Sequence, residues 1–232
     1  MFFVVNAELD LFIVCLRRKI VIFAKKITVI FNSLYLPPLE FFVHACSAEM
    51  IMIEASENFR KQTYRNRCSI YSANGPIDLS IYLEKCRRNH LPIKEMRLSY
   101  AQAWNKIHWR AIVSAYNNSP FFMYYSHDFE KFYNKEYTWL LDYNTQLLSL
   151  CFKLMRMEKD IAYTQEYLVE YPEGIDQRNK FLSAQACKIS FQKYPQVFAY
   201  KEGFIPNLSI IDLLFNRGPE AEEYLMQHAE AK

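Results

Sequence analysis

Residues 58–68 read Asn58-Phe-Arg-Lys-Gln-Thr-Tyr-Arg-Asn-Arg-Cys68, and the chain continues through Ser69-Ile-Tyr71 to Ala73-Asn-Gly75. A short β-branched and aromatic run that ends on Asn-Gly is a hairpin signal, because those two residues accept the positive φ that tight turns demand. The expected strand is Cys68–Tyr71, with its return over Ile77–Leu83. Upstream, Ile27-Thr-Val-Ile-Phe31 and Met50-Ile-Met-Ile53 are buried-strand runs, separated by a short helix, Leu39–Cys46, that Pro37-Pro38 opens. A weaker strand signal lies at Ile93–Leu98.

Helices follow the strands. Trp104, His108, Ala111, Ile112 and Ala115 share one face at helical spacing, so Trp104–Tyr116 reads as a helix that Asn117-Asn-Ser-Pro120 stops. Asp128–Met155 keeps helical periodicity as one long helix or two consecutive ones. Ile161–Leu168 reads as an edge strand, while Tyr171–Tyr200 is polar and carries no clear period. Asn207 is placed to cap a helix over Leu208–Phe215, and Gly218-Pro219 breaks it before a last helix, Glu220–Ala229. Strands, a hairpin and then helices give an α/β fold: a single domain whose mixed β-sheet, with an early hairpin, packs against helices.

The chain has 232 residues, 51% of them hydrophobic, which is enough to bury a sizeable core. A net charge of +3 excludes a strong polyanion binder acting through the whole molecule, so any basic function is local. Cys15, Cys46, Cys68, Cys86, Cys151 and Cys187 are scattered without paired spacing, as expected of reduced thiols in a cytoplasmic protein, and they offer no zinc site. Residues 1–26 are apolar but interrupted by Asn6, Glu8 and Asp10, and their cations come last. That order fails the pattern of a signal peptide, and Ile20–Ala24 is too short to span a bilayer. We read 1–26 as an extension of the domain at 27–232, consistent with an over-long gene start; a membrane-surface anchor is the competing reading.

Chemistry is expected where the charge is concentrated. Arg60, Lys61, Arg65 and Arg67 crowd one segment, and no acidic residue occurs from Asn58 to Ile77. An anion between them would relieve their repulsion, and Arg presents a planar fork that takes phosphate or carboxylate in bidentate fashion. The competing reading is a solvated basic loop, or one paired with distant carboxylates. Tyr64 and Tyr71 could stack on a base or a sugar ring, as single-stranded nucleic-acid binders also do. His108, mid-helix, is either a proton carrier or a core histidine satisfied by a backbone carbonyl. No nucleophile elbow, Walker loop, dinucleotide fingerprint or metal-ligand spacing occurs, so no cofactor and no metal are called.

Taken together, Tyr35-Leu-Pro-Pro-Leu-Glu-Phe-Phe42, Phe59–Cys68, Ala73-Asn-Gly-Pro76, Trp104-Asn-Lys-Ile-His-Trp109, Ala115-Tyr116, Ser119-Pro-Phe-Phe122 and Gly203–Glu220 resemble the WbqC-like proteins. The resemblance spans about residues 27–225. More distant members carry Gln-Pro-Tyr-Phe-Phe-Pro-Tyr in the first motif, where this chain has Ser33-Leu-Tyr-Leu-Pro-Pro38 and lacks the Gln. Asn66, Arg67, His108, Tyr116, Pro120 and Phe121 match both versions. The family takes its name from O-antigen gene clusters. The resemblance therefore implies a cytoplasmic transferase of surface-polysaccharide biosynthesis, acting on a nucleotide sugar or sugar phosphate by acyl or aminoacyl transfer. In that reading Lys61, Tyr64, Arg65, Asn66 and Arg67 hold the anionic substrate, His108 moves a proton, and Tyr116 orients the substrate. The alternatives are a non-catalytic binder of single-stranded nucleic acid or of an acidic partner, and a scaffold in a glycan-assembly complex.

Overall fold

The computed structural model describes residues 27–85, 91–171, 175–178, 180–181, 187 and 189–229, and the backbone alone of 11–16, 19–24 and 230. Within the expected extension, strands β1 (Leu11–Leu16) and β2 (Lys19–Ala24) pair antiparallel with each other. The rest of 1–26 lies outside the described residues, as does Cys86.

A β–α–β unit follows. β3 (Thr28–Asn32), α1 (Leu39–Ala45) and β4 (Met50–Glu54) bring two strands side by side in parallel, with Thr28 opposite Met50 and Asn32 opposite Glu54. Both strands run almost wholly buried, as parallel strands covered on both faces must be. β7 (Asp160–Tyr163) adds in parallel on the far side of β4, giving the order β3-β4-β7. A single parallel bridge between Ile30 and Asp176 extends the other side of β3. The hairpin of β5 (Arg67–Ser72) and β6 (Gly75–Ser80) forms a separate antiparallel sheet, its turn made at Gly75 with φ of +91°. The α/β class holds, with parallel pairing in β3-β4-β7 and antiparallel pairing in the separate two-stranded sheets β1-β2 and β5-β6.

Of helices α2 (Trp104–Tyr116), α3 (Phe122–Asn134) and α4 (Leu140–Leu154), α2 packs on β5, and α3 packs between α2 and α4. The periodic stretch expected near 128–155 is thus two helices, and the first begins at Phe122, six residues early. α5 (Ala199–Glu202) is a single turn, and α6 (Ile210–Arg217) and α7 (Ala221–Glu230) close the chain. Two local expectations are corrected. Ile93–Leu98 is not a strand: Ile93–Glu95 forms a 3₁₀ turn, and Arg97 and Leu98 make only isolated bridges. Asn207 does not cap its own helix, which starts behind Ser209. Its Oδ1 accepts from the Glu40 backbone N–H at 2.8 Å, satisfying the first turn of α1 instead.

Candidate functional site

The basic segment between β4 and β5 forms a wall of bends and one turn, with Gln62 at φ of +59°, and its side chains part to opposite sides. Phe59, Lys61 and Gln62 face a groove completed by Asn66, Arg67, Ser80, Ile81, Tyr82, Leu83, Glu84, Lys85, Leu91 and Met96, with a volume of about 670 Å³. Arg67, at the start of β5, donates from Nε to Ser80 Oγ at 3.1 Å, and its Nη1 lies 3.4 Å from Asp78. Both side chains of that pair are well exposed, so the pairing leaves the guanidinium open to solvent. Asn66 Nδ2 donates to the Ile81 carbonyl. Among the described residues, Lys61 has no ion-pair partner. Lys61, Asn66 and Arg67 are therefore brought together on one surface, with apolar walls beside them.

Arg65 turns the other way. It is 1% exposed and grips Glu57 with two parallel bonds, Nε to Oε1 at 2.9 Å and Nη2 to Oε2 at 2.5 Å. Tyr64 is half-buried, and its carbonyl accepts from the Tyr35 N–H, so this residue staples the basic segment to the loop after β3. Arg65 lies in the turn that the Asn66 N–H closes on the Thr63 carbonyl at 3.3 Å, and Arg67 opens β5, so the two serve opposite sides of the wall although extended backbone would send them the same way.

His108 and Tyr116 lie in the core, outside the groove lining. His108 Nδ1 is 3.0 Å from the Tyr35 hydroxyl, which is 2.8 Å from the Tyr133 hydroxyl. Burial lowers the His108 pKa to about 4, while a hydrogen bond with the Ser80 backbone pulls it back upward. The imidazole is therefore neutral at pH 7. Ser80 touches both residues, His108 through its backbone and Arg67 through its hydroxyl, so the histidine sits directly behind the groove. Tyr116 receives the Tyr71 backbone N–H at 3.2 Å and donates to Asp212 Oδ1 at 3.0 Å. Asp212 is fully buried and also accepts from the Tyr194 hydroxyl and Gln196 Nε2. With neutral donors and no cation, burial raises its pKa to about 6.

A second, smaller pocket of about 200 Å³ opens on the inner side of the wall, lined by Asn32, Ser56, Glu57, Asn58, Arg60, Arg65, Tyr167 and Arg178. It stands at the carboxyl ends of the parallel strands, where open α/β sheets leave a crevice. Asn32 ends β3, Glu54 ends β4, and Arg178 follows the Asp176 bridge to the same edge. Arg178 pairs with Glu54 at 3.2 Å and with Asp176 at 2.6 Å, and Tyr167 and Tyr171 stack on its guanidinium at 5.1 and 4.7 Å. Of this set only Arg60 and Arg65 fell within the basic cluster singled out in the sequence. Asn32, Glu54, Glu57 and Arg178 are scattered over the chain, and no local motif joins them. Among the described residues no three His, Cys, Asp or Glu side chains converge as metal ligands. Cys68 and Cys151 are buried thiols with pKa values raised by burial. No helix among the described residues is long and apolar enough to cross a membrane.

The WbqC-like protein family model matches residues 32–183 and 173–224. An uncharacterized protein of Mycobacterium tuberculosis (strain ATCC 25618 / H37Rv), Rv1507c, is 25% identical over 229 residues, covering 87% of this chain and 97% of its own length. No solved structure matches. The chain belongs to the WbqC-like family.

Proposed function

We propose that this protein is a cytoplasmic enzyme of surface-polysaccharide biosynthesis, and that its groove holds a nucleotide-linked or phosphorylated sugar. The observation that carries this reading is the pairing, in one groove of ligand size, of the free Lys61 and the solvent-open Arg67 with the apolar walls of Phe59, Leu83, Leu91 and Met96. The cations take the phosphate, Asn66 lies beside them, and Phe59 and Tyr82 offer faces for a base or sugar ring. An acyl or aminoacyl transfer suits the setting from which the family takes its name. His108 and Tyr116 serve here as positioning residues. The one fixes the Ser80 backbone behind Arg67, and the other ties the hairpin to α6.

Thermal unfolding of the full chain with UDP-sugars, hexose 1-phosphates and the corresponding free hexoses tests the reading. The expected result is a rise in Tm with the phosphorylated compounds only, since a ligand bound to the native state alone stabilises it by mass action. The double variant Lys61→Ala/Arg67→Ala should abolish that rise while its own Tm stays close to the parent's. A response to free hexoses equal to that of their phosphates would overturn the reading. So would a response confined to single-stranded RNA that fades with salt, as counterion release requires. In a strain lacking the gene, complementation by the same double variant should fail to restore surface glycan.

A further inference from the structure

The pocket at the carboxyl ends of the parallel strands is separate from the groove and plays no part in the reading above. We infer that it is a binding site for a small zwitterion with an amine at one end and a carboxylate at the other, of the size of an α-amino acid. Three observations converge on that class.

Asn32 is the first. It is 2% exposed, and its Nδ2 donates to Glu57 Oε2 at 2.6 Å. A carboxylate only accepts, so the amide orientation is fixed by chemistry, and Asn32 Oδ1 is left as the other end. That oxygen is buried and, among the described residues, has no hydrogen-bond partner. A buried acceptor without a donor is costly, and this one belongs to a residue that lines the pocket. Beside it, Glu57 Oε1 accepts only from Arg65 Nε and keeps a lone pair. The inner end of the pocket thus lacks hydrogen-bond donors, which an ammonium group supplies three at a time.

Arg60 is the second. It is exposed, lines the same pocket, and among the described residues its guanidinium has no carboxylate partner. Its neighbours Arg65 and Arg178 are both committed to internal carboxylates. One open planar fork at the mouth suits a carboxylate.

Charge balance is the third. Glu54, Glu57 and Asp176 oppose Arg60, Arg65 and Arg178, so the surroundings are neutral as they stand. A zwitterion enters without leaving a net charge in the interior, where an unpaired ion is penalised heavily. The volume of about 200 Å³ admits a molecule of a few heavy atoms, and excludes a nucleotide sugar.

Titration calorimetry of the full chain with glycine, L-alanine, L-serine and L-glutamine is the direct test, with L-lactate, L-alaninol and glucose as controls. At least one amino acid should bind, and the matching compound without its amine or carboxylate should bind about tenfold more weakly or worse, the scale of a lost charge-assisted hydrogen bond. Arg60→Gln, an exposed change that leaves the fold intact, should weaken amino-acid binding by a similar factor and leave the response to hexose 1-phosphates untouched. Binding of glucose or lactate as tight as that of any amino acid would overturn the assignment. So would amino-acid binding indifferent to Arg60→Gln, or no amino-acid binding at millimolar concentration.

Discussion

At the scale of single residues, burial decides what a charge does. Arg65 and Arg67 have the same side chain two positions apart, yet one is sealed against Glu57 and the other borders solvent. Removing one partner of a buried ion pair strands the other, at a cost of about 3–5 kcal/mol. Burial already pushes the Glu57 pKa up against the opposing pull of Arg65, so the carboxylate has little tolerance for losing that partner. Arg65→Ala should therefore lower unfolding stability by that amount in urea melts. Arg67→Ala should change it by no more than about 0.5 kcal/mol, as surface substitutions do. Equal effects from the two would contradict the inward and outward assignment. Gly218 makes the complementary point for backbone: its φ is +54°, and a Cβ there would collide with the Phe121 ring. Helix termination and the Phe121 plug are thus one packing event.

At the scale of elements, the hairpin of β5 and β6 is held to its surroundings by hydrogen bonds to its backbone and from its Tyr71 side chain. Tyr116 of α2 takes the Tyr71 N–H, and Ser209, before α6, donates its own N–H to the Ser69 carbonyl. The Tyr71 hydroxyl reaches the carbonyls of Phe198 and Gly203 at 3.1 and 3.0 Å, tying in the polar stretch whose sequence shows no period. Tyr116→Phe keeps the ring and removes the hydroxyl from both Tyr71 and Asp212. Its expected cost is about 1–3 kcal/mol, the penalty of unsatisfied buried polar groups. Hydrogen exchange at Tyr71 should accelerate more than at Val29 or Ile51 in the parallel sheet. Uniform acceleration across both sheets would show that the hydroxyl supports the whole fold and has no special hold on the hairpin.

For the whole molecule, two buried groups set opposing slopes of stability against pH. His108 is depressed to about 4, so its contribution is complete above the ordinary imidazole value of 6.5 and is lost as pH falls toward 4. Asp212 is raised to about 6 from 3.8, so its contribution is present in acid and is lost as pH rises through 6. Between about pH 4 and 6 the two largely cancel. His108→Gln removes one slope. Relative to the parent, the variant should gain about 2 kcal/mol in going from pH 6.5 to pH 4.5. A constant difference between the two proteins across that range would show that the imidazole is not held neutral by burial.

Patterns that depend on neighbours along the chain were legible from the residues alone. The β-branched runs at 27–31 and 50–53, the hairpin turning at Ala73-Asn74-Gly75 and the helix Trp104–Tyr116 all surfaced where expected, because strand and helix periods sort apolar side chains locally. The clustering of Arg60, Lys61, Arg65 and Arg67 was equally plain, and so was the family, through motifs spread over most of the chain. What the residues could not disclose was direction. The turn before β5 re-aims the chain between Arg65 and Arg67, and which side is interior depends on the elements that pack there. Tertiary structure alone turned Arg65 inward to Glu57 and left Lys61 and Arg67 on the groove. It also gathered Asn32, Glu54, Glu57 and Arg178 at one sheet edge, since parallel strands joined by crossovers bring distant positions together at their carboxyl ends.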